Sequence, residues 1–547
     1  MLQGMADCKL RQVTALPPET GARPRPWRMY AAVLILVAAV RIVSTLTTFS
    51  ETADEPMHLS SGLEVLSLHR YELQLQNPPL PRLVIALPPW LAGARYSGAD
   101  PMPEALTKFH SHGPVTRMLF LARVGILLFF VLAAVGTWLW ARRGGDPAAA
   151  LAALLFFSTQ PVILGHSGLA TLDVAGTAGF VVALLAFFRW MEQPSLARAA
   201  VLALAFGFSV ACKFLCLAYV PLACAAIYAV RLLRDPETRR RWRALVTVVV
   251  VPPVAALVVW ATYGFSTAPA STLRDVQHAF PDTITGRLLA AMPDAPVPAP
   301  QFVRGMAQLI DVNRQGFPGY ALGHWSLQGW WWYFPLALGL KTTLASLLLL
   351  ILGGILARRW GLFLESAAAA AAILLLSMMT HVDIGIRYIL PVYVMLSIAA
   401  GAGFVAMFRD RRSLVRVSAM VLLAWHCIAS LAAHPDYMAY FNEAAVRDPS
   451  WYLVDSNLDW GQDILRLRDE TRRLHIRTLG VSLFGPDNLD LLGFPPHYYV
   501  DASTPTQGWI AVSDHSFRSN YPYGGWRWLD PRRCERVGKS IRLCWMP

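Results

Sequence analysis

The sequence predicts an all-α polytopic membrane protein with a small α/β domain at its C-terminal end. Three observations predict it. Of 547 residues, 55% are hydrophobic and only 15% charged, with a mean hydropathy of +0.42; soluble domains carry roughly 25% charged residues. Apolar runs approaching the ~20 residues that cross a bilayer recur as far as residue 433. The Lys and Arg residues behind the net charge of +13 cluster in short connections between those runs, where membrane topology uses them, which argues against nucleic-acid binding.

In chain order, Lys9, Arg11, Arg23, Arg25 and Arg28 precede a long apolar run that ends without a small-residue cleavage site. That is the pattern of a signal anchor with a cytoplasmic N-terminus. About eleven transmembrane helices are expected near 29–48, 116–141, 148–163, 168–190, 197–213, 214–233, 244–264, 330–355, 362–381, 385–408 and 413–433. The basic connections Arg142–Arg143, Arg189–Arg198, Arg231–Arg243, Arg358–Arg359 and Arg409–Arg416 then all fall on the cytoplasmic side, provided that 197–233 is split at Lys213. The expected division is a tail at 1–28, a transmembrane domain at 29–433 and an extracytoplasmic domain at 434–547. Outer loops occupy 49–115 and 265–329, the second with a Pro-rich patch at Pro293–Pro300 and amphipathic pieces suited to the membrane surface. In the C-terminal domain an amphipathic helix is expected over Trp460–Arg473, with strands at Thr478–Phe484 and Gly508–Ser513. A hairpin turning at Gly538–Ser540 sets Cys534 opposite Cys544, and an oxidising compartment suits a disulfide there.

The stretch ETADEPMHLSSG follows the first apolar run and places Asp54 and Glu55 at the membrane boundary before a short amphipathic helix expected at the surface. A hydroxyl attacking an anomeric carbon needs a carboxylate to take its proton. The plainer reading of the same residues is a capping box between Thr52 and Glu55. Further along the loop, Asn77-Pro78-Pro79-Leu80-Pro81 forms a rigid turn before a second amphipathic stretch. Lys213, Lys341 and Arg387 sit in or at the outer ends of apolar segments, where an unpaired charge costs about 2.5–3.5 kcal/mol on insertion scales. Snorkelling accounts for Lys213 and Arg387 singly; Lys341, about ten residues into its helix, points more strongly to function. Arg41, inside the first helix, either snorkels or pairs with an acidic neighbour such as Asp54. His58, His166, His324 and His381 read as hydrogen-bonding anchors, although Asp54 and His58 share a helix face at a usable metal spacing. Trp325, Trp330, Trp331 and Trp332 fit an interfacial belt.

With these residues the chain resembles the GT-C glycosyltransferases related to protein O-mannosyltransferases and lipid A aminoarabinose transferases. Besides the DE pair and the PPL turn, the resemblance is carried by HSGLATLDVAGT with Asp173, GWWWYFPLALGLKTTL with Lys341, HVDIGIRYILP with Arg387, Tyr388 and Pro391, and YFNEAAVRDPSWYLVDSNLDWGQDI. It implies an inverting displacement on a polyprenyl-phosphate-linked sugar at the outer face of a bacterial inner membrane. Asp54 would be general base, assisted by Glu55; Lys341, Arg387 and Lys213 would hold the donor phosphate. Asp173, Tyr388 and His324 would contact sugar or acceptor, the acceptor being a hydroxyl of a lipid, glycan or protein. Asn77 stands where many relatives carry His before Pro-Pro, so no metal site is assigned, and a divalent metal as cofactor stays an open alternative. A transporter or flippase for lipid-linked saccharides is the rival reading. It expects ionisable residues through the full depth of the helices, whereas this sequence concentrates them toward one face. A binding subunit without catalytic activity is the third.

Overall fold

A computed structural model describes residues 26–102, 104, 106–107, 117–357, 361–445, 447–486 and 488–547. Lys9, Arg11, Arg23, Arg25 and the connection Arg358–Arg359 lie outside the described residues.

Each of the eleven apolar runs is helical, but they differ in reach. Pro26–Val43, Arg117–Arg142, Asp173–Glu192, Cys216–Arg234, Arg243–Thr262, Ile386–Phe408 and Ser413–Ala432 are long and apolar enough to span a bilayer. Two further spans are bent, Pro147–Thr159 with Pro161–Ser167 by 59° and Tyr333–Lys341 with Leu344–Ala357 by 104°. The remaining two, Leu196–Cys212 and Gly361–Ser377, have 17 residues each. At about 1.5 Å per residue they fall short of a ~30 Å hydrocarbon layer. The chain is therefore a multi-pass membrane protein with seven to nine full-length candidate spans among the described residues, fewer than the eleven expected.

Both bends have local causes. Pro161 lacks an N–H and drives Gln160 into extended backbone (φ −67°, ψ 122°). At the second bend Thr342 is extended (φ −96°, ψ 141°). There Asn442 Nδ2 donates to the carbonyls of Gly339 and Thr342 at 2.5 and 2.8 Å, taking up groups that the helix no longer pairs. So 330–355 is not one helix, and Lys341 does not lie within it: it is the last residue before the bend. The split at Lys213 is present, with that residue extended between its two helices.

The basic connections among the described residues meet at one end of the bundle. Arg143 pairs with Glu192, Arg231 with Glu365 at 2.9 Å, and Arg409 with Asp146. Asp173, Lys213 and Arg387 mark the far ends of helices that begin or finish at those connections. At that far end the helix Glu55–Leu68, expected at the surface, is buried along nearly its whole first ten residues. Its polar groups are answered from within: Ser60 donates to Pro101 O, and Glu64 accepts the N–H groups of Glu72 and Leu73. Gly62 lets it pack on Pro79–Leu91, since a Cβ there would stand 2.1 Å from Arg82 O.

The chain after residue 433 starts inside the helical core, where Tyr437, Phe441, Leu453 and Leu458 are buried. A separate core begins at Ile464. It lies between the helix Ile464–Arg473 and a five-stranded sheet. Leu479–Ser482 runs parallel to His497–Tyr499 on one side and Gly508–Ser513 on the other; Ile541–Met546 and Cys534–Val537 continue the sheet antiparallel. Cys534 pairs with Cys544 in the hairpin register, and the two form a disulfide.

Candidate active site

Three motifs that are distant in sequence form one site. Residues 50–53 lie along the DWGQD segment: Ser50 N and Ala53 N donate to Gln462 O and Trp460 O, and Ser50 Oγ donates to Gly461 O at 2.7 Å. The DSN turn holds the approach to Arg387. Asn457 Oδ1 accepts Ile386 N at 3.0 Å, and Ser456 Oγ donates to Ile384 O at 2.8 Å. Arg387 is thereby fixed with its guanidinium 4.3 Å over the Trp460 ring and with Nη1 2.5 Å from Asp54 Oδ2.

Asp54 and Glu55 part company at this point. The Asp54 side chain keeps 35% of its exposure and Arg387 10%. The Glu55–Arg123 pair has none on either side. Glu55 accepts from Arg123 Nε and Nη2, from Ala170 N and from both Thr52 N and Oγ1, so its lone pairs are fully engaged. The Thr52 N–H contact is one half of the capping box that the spacing predicts; the reciprocal bond is not made, since the Thr52 hydroxyl also donates to Glu55 and the helix N-cap is Asp54.

Lys213 Nζ sits 2.5 Å from Asp173 Oδ1 and 5.2 Å from the centre of the Tyr388 ring, which Arg387 also faces at 5.3 Å. Thr171 Oγ1 holds the other Asp173 oxygen at 3.0 Å. Lys341 is buried, its Nζ donating to Met438 O and Asn457 O at 2.7 and 2.5 Å with Phe441 below at 4.3 Å. Among the described residues no carboxylate pairs with it. The charges of Asp173, Arg387, Lys341 and Lys213 all bear on His166, a buried imidazole whose Nδ1 has no partner.

Other predicted residues stand elsewhere. His324 is exposed on a hairpin, Gly319–Ala321 with Ala321's partner strand His324–Ser326, and none of its contacts joins it to the Asp54–Arg387 pair. Arg41 binds Tyr437 Oη and Ser430 rather than Asp54, because its helix places it beside residues 430–437. His381 is an anchor, its Nδ1 2.9 Å from Asn313 O. Trp325 leaves the expected belt: its Nε1 donates to Arg518 O, tying the hairpin to the sheet domain. His58 is buried, with Nδ1 unpartnered, and burial pushes its pKa down to about 4. No group of three or more His, Cys, Asp or Glu among the described residues is arranged to hold a metal ion; Asp54, the carboxylate nearest such a role, has a guanidinium as its counter-charge.

No protein-family model matches this chain, and neither does any curated protein sequence. Among solved structures it is similar to ArnT from Cupriavidus metallidurans bound to undecaprenyl phosphate, with 14% identity and a TM-score of 0.47 over 94% of this chain and 98% of that one. It is also similar to the archaeal oligosaccharyltransferase AglB from Archaeoglobus fulgidus in complex with an inhibitory peptide and a dolichol-phosphate. There the identity is 13% and the TM-score 0.44, over 84% of this chain and 62% of that one.

Sequence reasoning missed Arg123, Asp455 and Trp460 as members of the site. Arg123 carried a usable signal, a lone arginine inside an apolar run, which is costly unless paired. Asp455 takes a left-handed backbone (φ 54°) and is held near Arg387 and Asp54, where burial raises its pKa to about 6 and Arg387 opposes the rise. Nothing in DSNLDW marks which of its two aspartates faces the site.

Proposed function

We propose that this protein transfers a sugar from a polyprenyl-phosphate-linked donor to an acceptor hydroxyl, with inversion, at the end of the bundle that carries the sheet domain. The observation that carries the reading is the half-open Asp54–Arg387 pair: a reachable carboxylate held against a nearly sealed guanidinium. The acceptor oxygen attacks the anomeric carbon as its proton passes to Asp54. The bond from that carbon to the phosphate oxygen breaks, and its electron pair stays on the phosphate. Fixed cations stabilise the charge that grows there more than they stabilise the bound donor. Arg387 contributes through its buried and unpartnered Nε, and Lys213 through its 16% exposed side chain. Lys341, sealed under the site and with no carboxylate partner among the described residues, supplies field rather than contact. Glu55 positions Asp54 through Arg123 and does not take a proton. Asp173 and Tyr388 orient Lys213 and the sugar, and His324 meets the acceptor at the outer rim. In this reading the basic end is cytoplasmic, the site faces outward from a bacterial inner membrane, and residues 434–547 are the outer domain.

The test is transfer of labelled sugar from polyprenyl-phosphate donors in reconstituted vesicles. Product formed by the wild type and lost in Asp54→Asn supports the reading. Product undiminished in Asp54→Asn removes Asp54 as base, and movement of the lipid across the bilayer without transfer replaces the enzyme with a flippase.

A further inference from the structure

His426 lies within the span Ser413–Ala432 and is fully buried, yet the chemistry above makes no use of it. An ionisable side chain inside a span is costly unless it is paired or functional. Here its hydrogen bonds go to the two broken spans. Nδ1 stands 2.8 Å from Thr343 Oγ1 and 2.9 Å from Ser346 Oγ, and Nε2 stands 2.8 Å from Thr159 Oγ1. Thr159 ends the helix before the 59° bend, and Thr343 follows the extended Thr342 of the 104° bend. Ser430, one turn further along the same helix, donates to Thr159 O. One helix face therefore grips both breaks.

The neighbours also fix the protons of the ring. Thr159 Oγ1 donates to Leu155 O at 2.5 Å, so toward His426 it accepts from Nε2–H. Nδ1 is then an acceptor and takes a proton from Thr343 or Ser346, whose hydroxyls lie 2.7 Å apart. Both nitrogens are answered, so the imidazole holds structure and offers no free nitrogen to a ligand. What it holds leads to Lys341, two residues before Thr343 on the other side of the bend. Lys341 Nζ donates to Asn457 O, and Asn457 Oδ1 accepts Ile386 N beside Arg387. We infer that His426 is a positioning residue: by pinning Thr343 and Ser346 it fixes the bend that sets Lys341 beneath the Asp54–Arg387 pair. The reaction it serves rests on the glycosyltransferase reading; the joint itself does not.

Two substitutions separate the two nitrogens of the ring. His426→Asn puts an amide where Nδ1 stands and keeps the bond to the Lys341 bend. His426→Gln reaches the Nε2 position and keeps only the bond to Thr159. The double variant Thr343→Val with Ser346→Ala removes both hydroxyls at the bend and leaves the histidine, should a histidine variant fail to accumulate. Each is measured as the full chain in lipid nanodiscs, by transfer from polyprenyl-phosphate donors per folded protein and by hydrogen exchange over residues 339–346. His426→Gln and the double variant are expected to lower kcat by roughly ten- to a hundredfold, the cost of a misplaced group. Donor KM should change little, and exchange at the bend should quicken. His426→Asn should stay near wild type in both readouts. Equal kcat and equal exchange in His426→Asn and His426→Gln overturn the inference, as does a fall in kcat that only follows the melting temperature. A wild type that makes no product sinks the transferase reading, and the exchange contrast alone then decides the joint. Product from the wild type with no contrast between the variants sinks the joint and keeps the transferase.

Discussion

Asp54 and Glu55 are neighbours in the chain, each is ion-paired to an arginine from a distant helix, and the two pairs do opposite work. Glu55–Arg123 is sealed, and every lone pair and N–H in it is answered, including Leu46 O, Phe49 O and Ser50 O by the guanidinium. Asp54–Arg387 is left half-open, with Arg387 Nε unanswered. A closed pair makes good its desolvation through its own bonds and fixes the chain entering the site. An open pair leaves capacity for something else to bind. Charge and spacing are alike in the two cases; satisfaction of hydrogen bonds tells them apart.

The largest expected effect breaks the open pair. Asp54→Asn keeps the shape but cannot take a proton, and transfer from a polyprenyl-phosphate donor should fall by about 10²–10⁴-fold while the thermal midpoint stays near that of wild type. A variant that loses rate only in step with folded protein would reduce Asp54 to a structural residue. The next effect breaks the closed pair. Arg123→Met strands Glu55 in the core, and removing one partner of a buried pair costs about 3–5 kcal/mol. Detergent-solubilised Arg123→Met should therefore melt far below wild type or fail to accumulate, and a normal melting curve would contradict the sealed geometry.

How far the sequence reached follows the same division. Length and hydrophobicity located the apolar helical stretches, because crossing a bilayer constrains composition directly, but not how many of them span: seven do so alone, two more are bent pairs and two are short. They did not reveal the bend at Lys341, which depends on Asn442, about a hundred residues away. The DE motif lies at both ion pairs, yet nothing local to it separates Asp54 from Glu55: their difference comes from Arg123 and Arg387. The helix Glu55–Leu68 is buried rather than at the surface, because small residues and internal hydrogen bonds satisfy it within the fold, which its local pattern does not reveal. Asp383 lay unremarked within HVDIGIRYILP, since a buried carboxylate and an exposed one look the same in sequence.

Lys213 and Asp173 form an intermediate case, with 16% and 5% side-chain exposure. If this pair binds donor rather than bracing the helices, Lys213→Met should raise KM for the donor by roughly tenfold with a smaller change in kcat. A fall in kcat and KM together, or a matching loss of thermal stability, would class it with the sealed pair.

The smallest effect tests the rule in the DWGQD segment, which repeats the contrast with two aspartates four residues apart. Asp463 accepts from Lys539 N, Ser540 N and Ser540 Oγ at 2.8–3.0 Å and pairs with Arg466 at 2.9 Å. Asp459 accepts His515 N at 2.7 Å, but its Oδ1 is buried without a partner. Burial raises the Asp459 pKa to about 8, offset only in part by the His515 N–H and the Ser513 hydroxyl. Its unfolded value is about 3.9, so between these values the folded protein holds a proton that the unfolded chain has released. Stability from this group is thus full below about pH 4 and is lost as pH rises toward about 8. Asp459→Asn mimics the protonated form at every pH. Its melting temperature should gain on wild type by on the order of 2–4 °C between about pH 5 and about pH 8. His515 titrates in both proteins and cancels from the difference. A gap that does not change with pH would mean that Asp459 is ionised in the folded chain and that a partner reaches Oδ1.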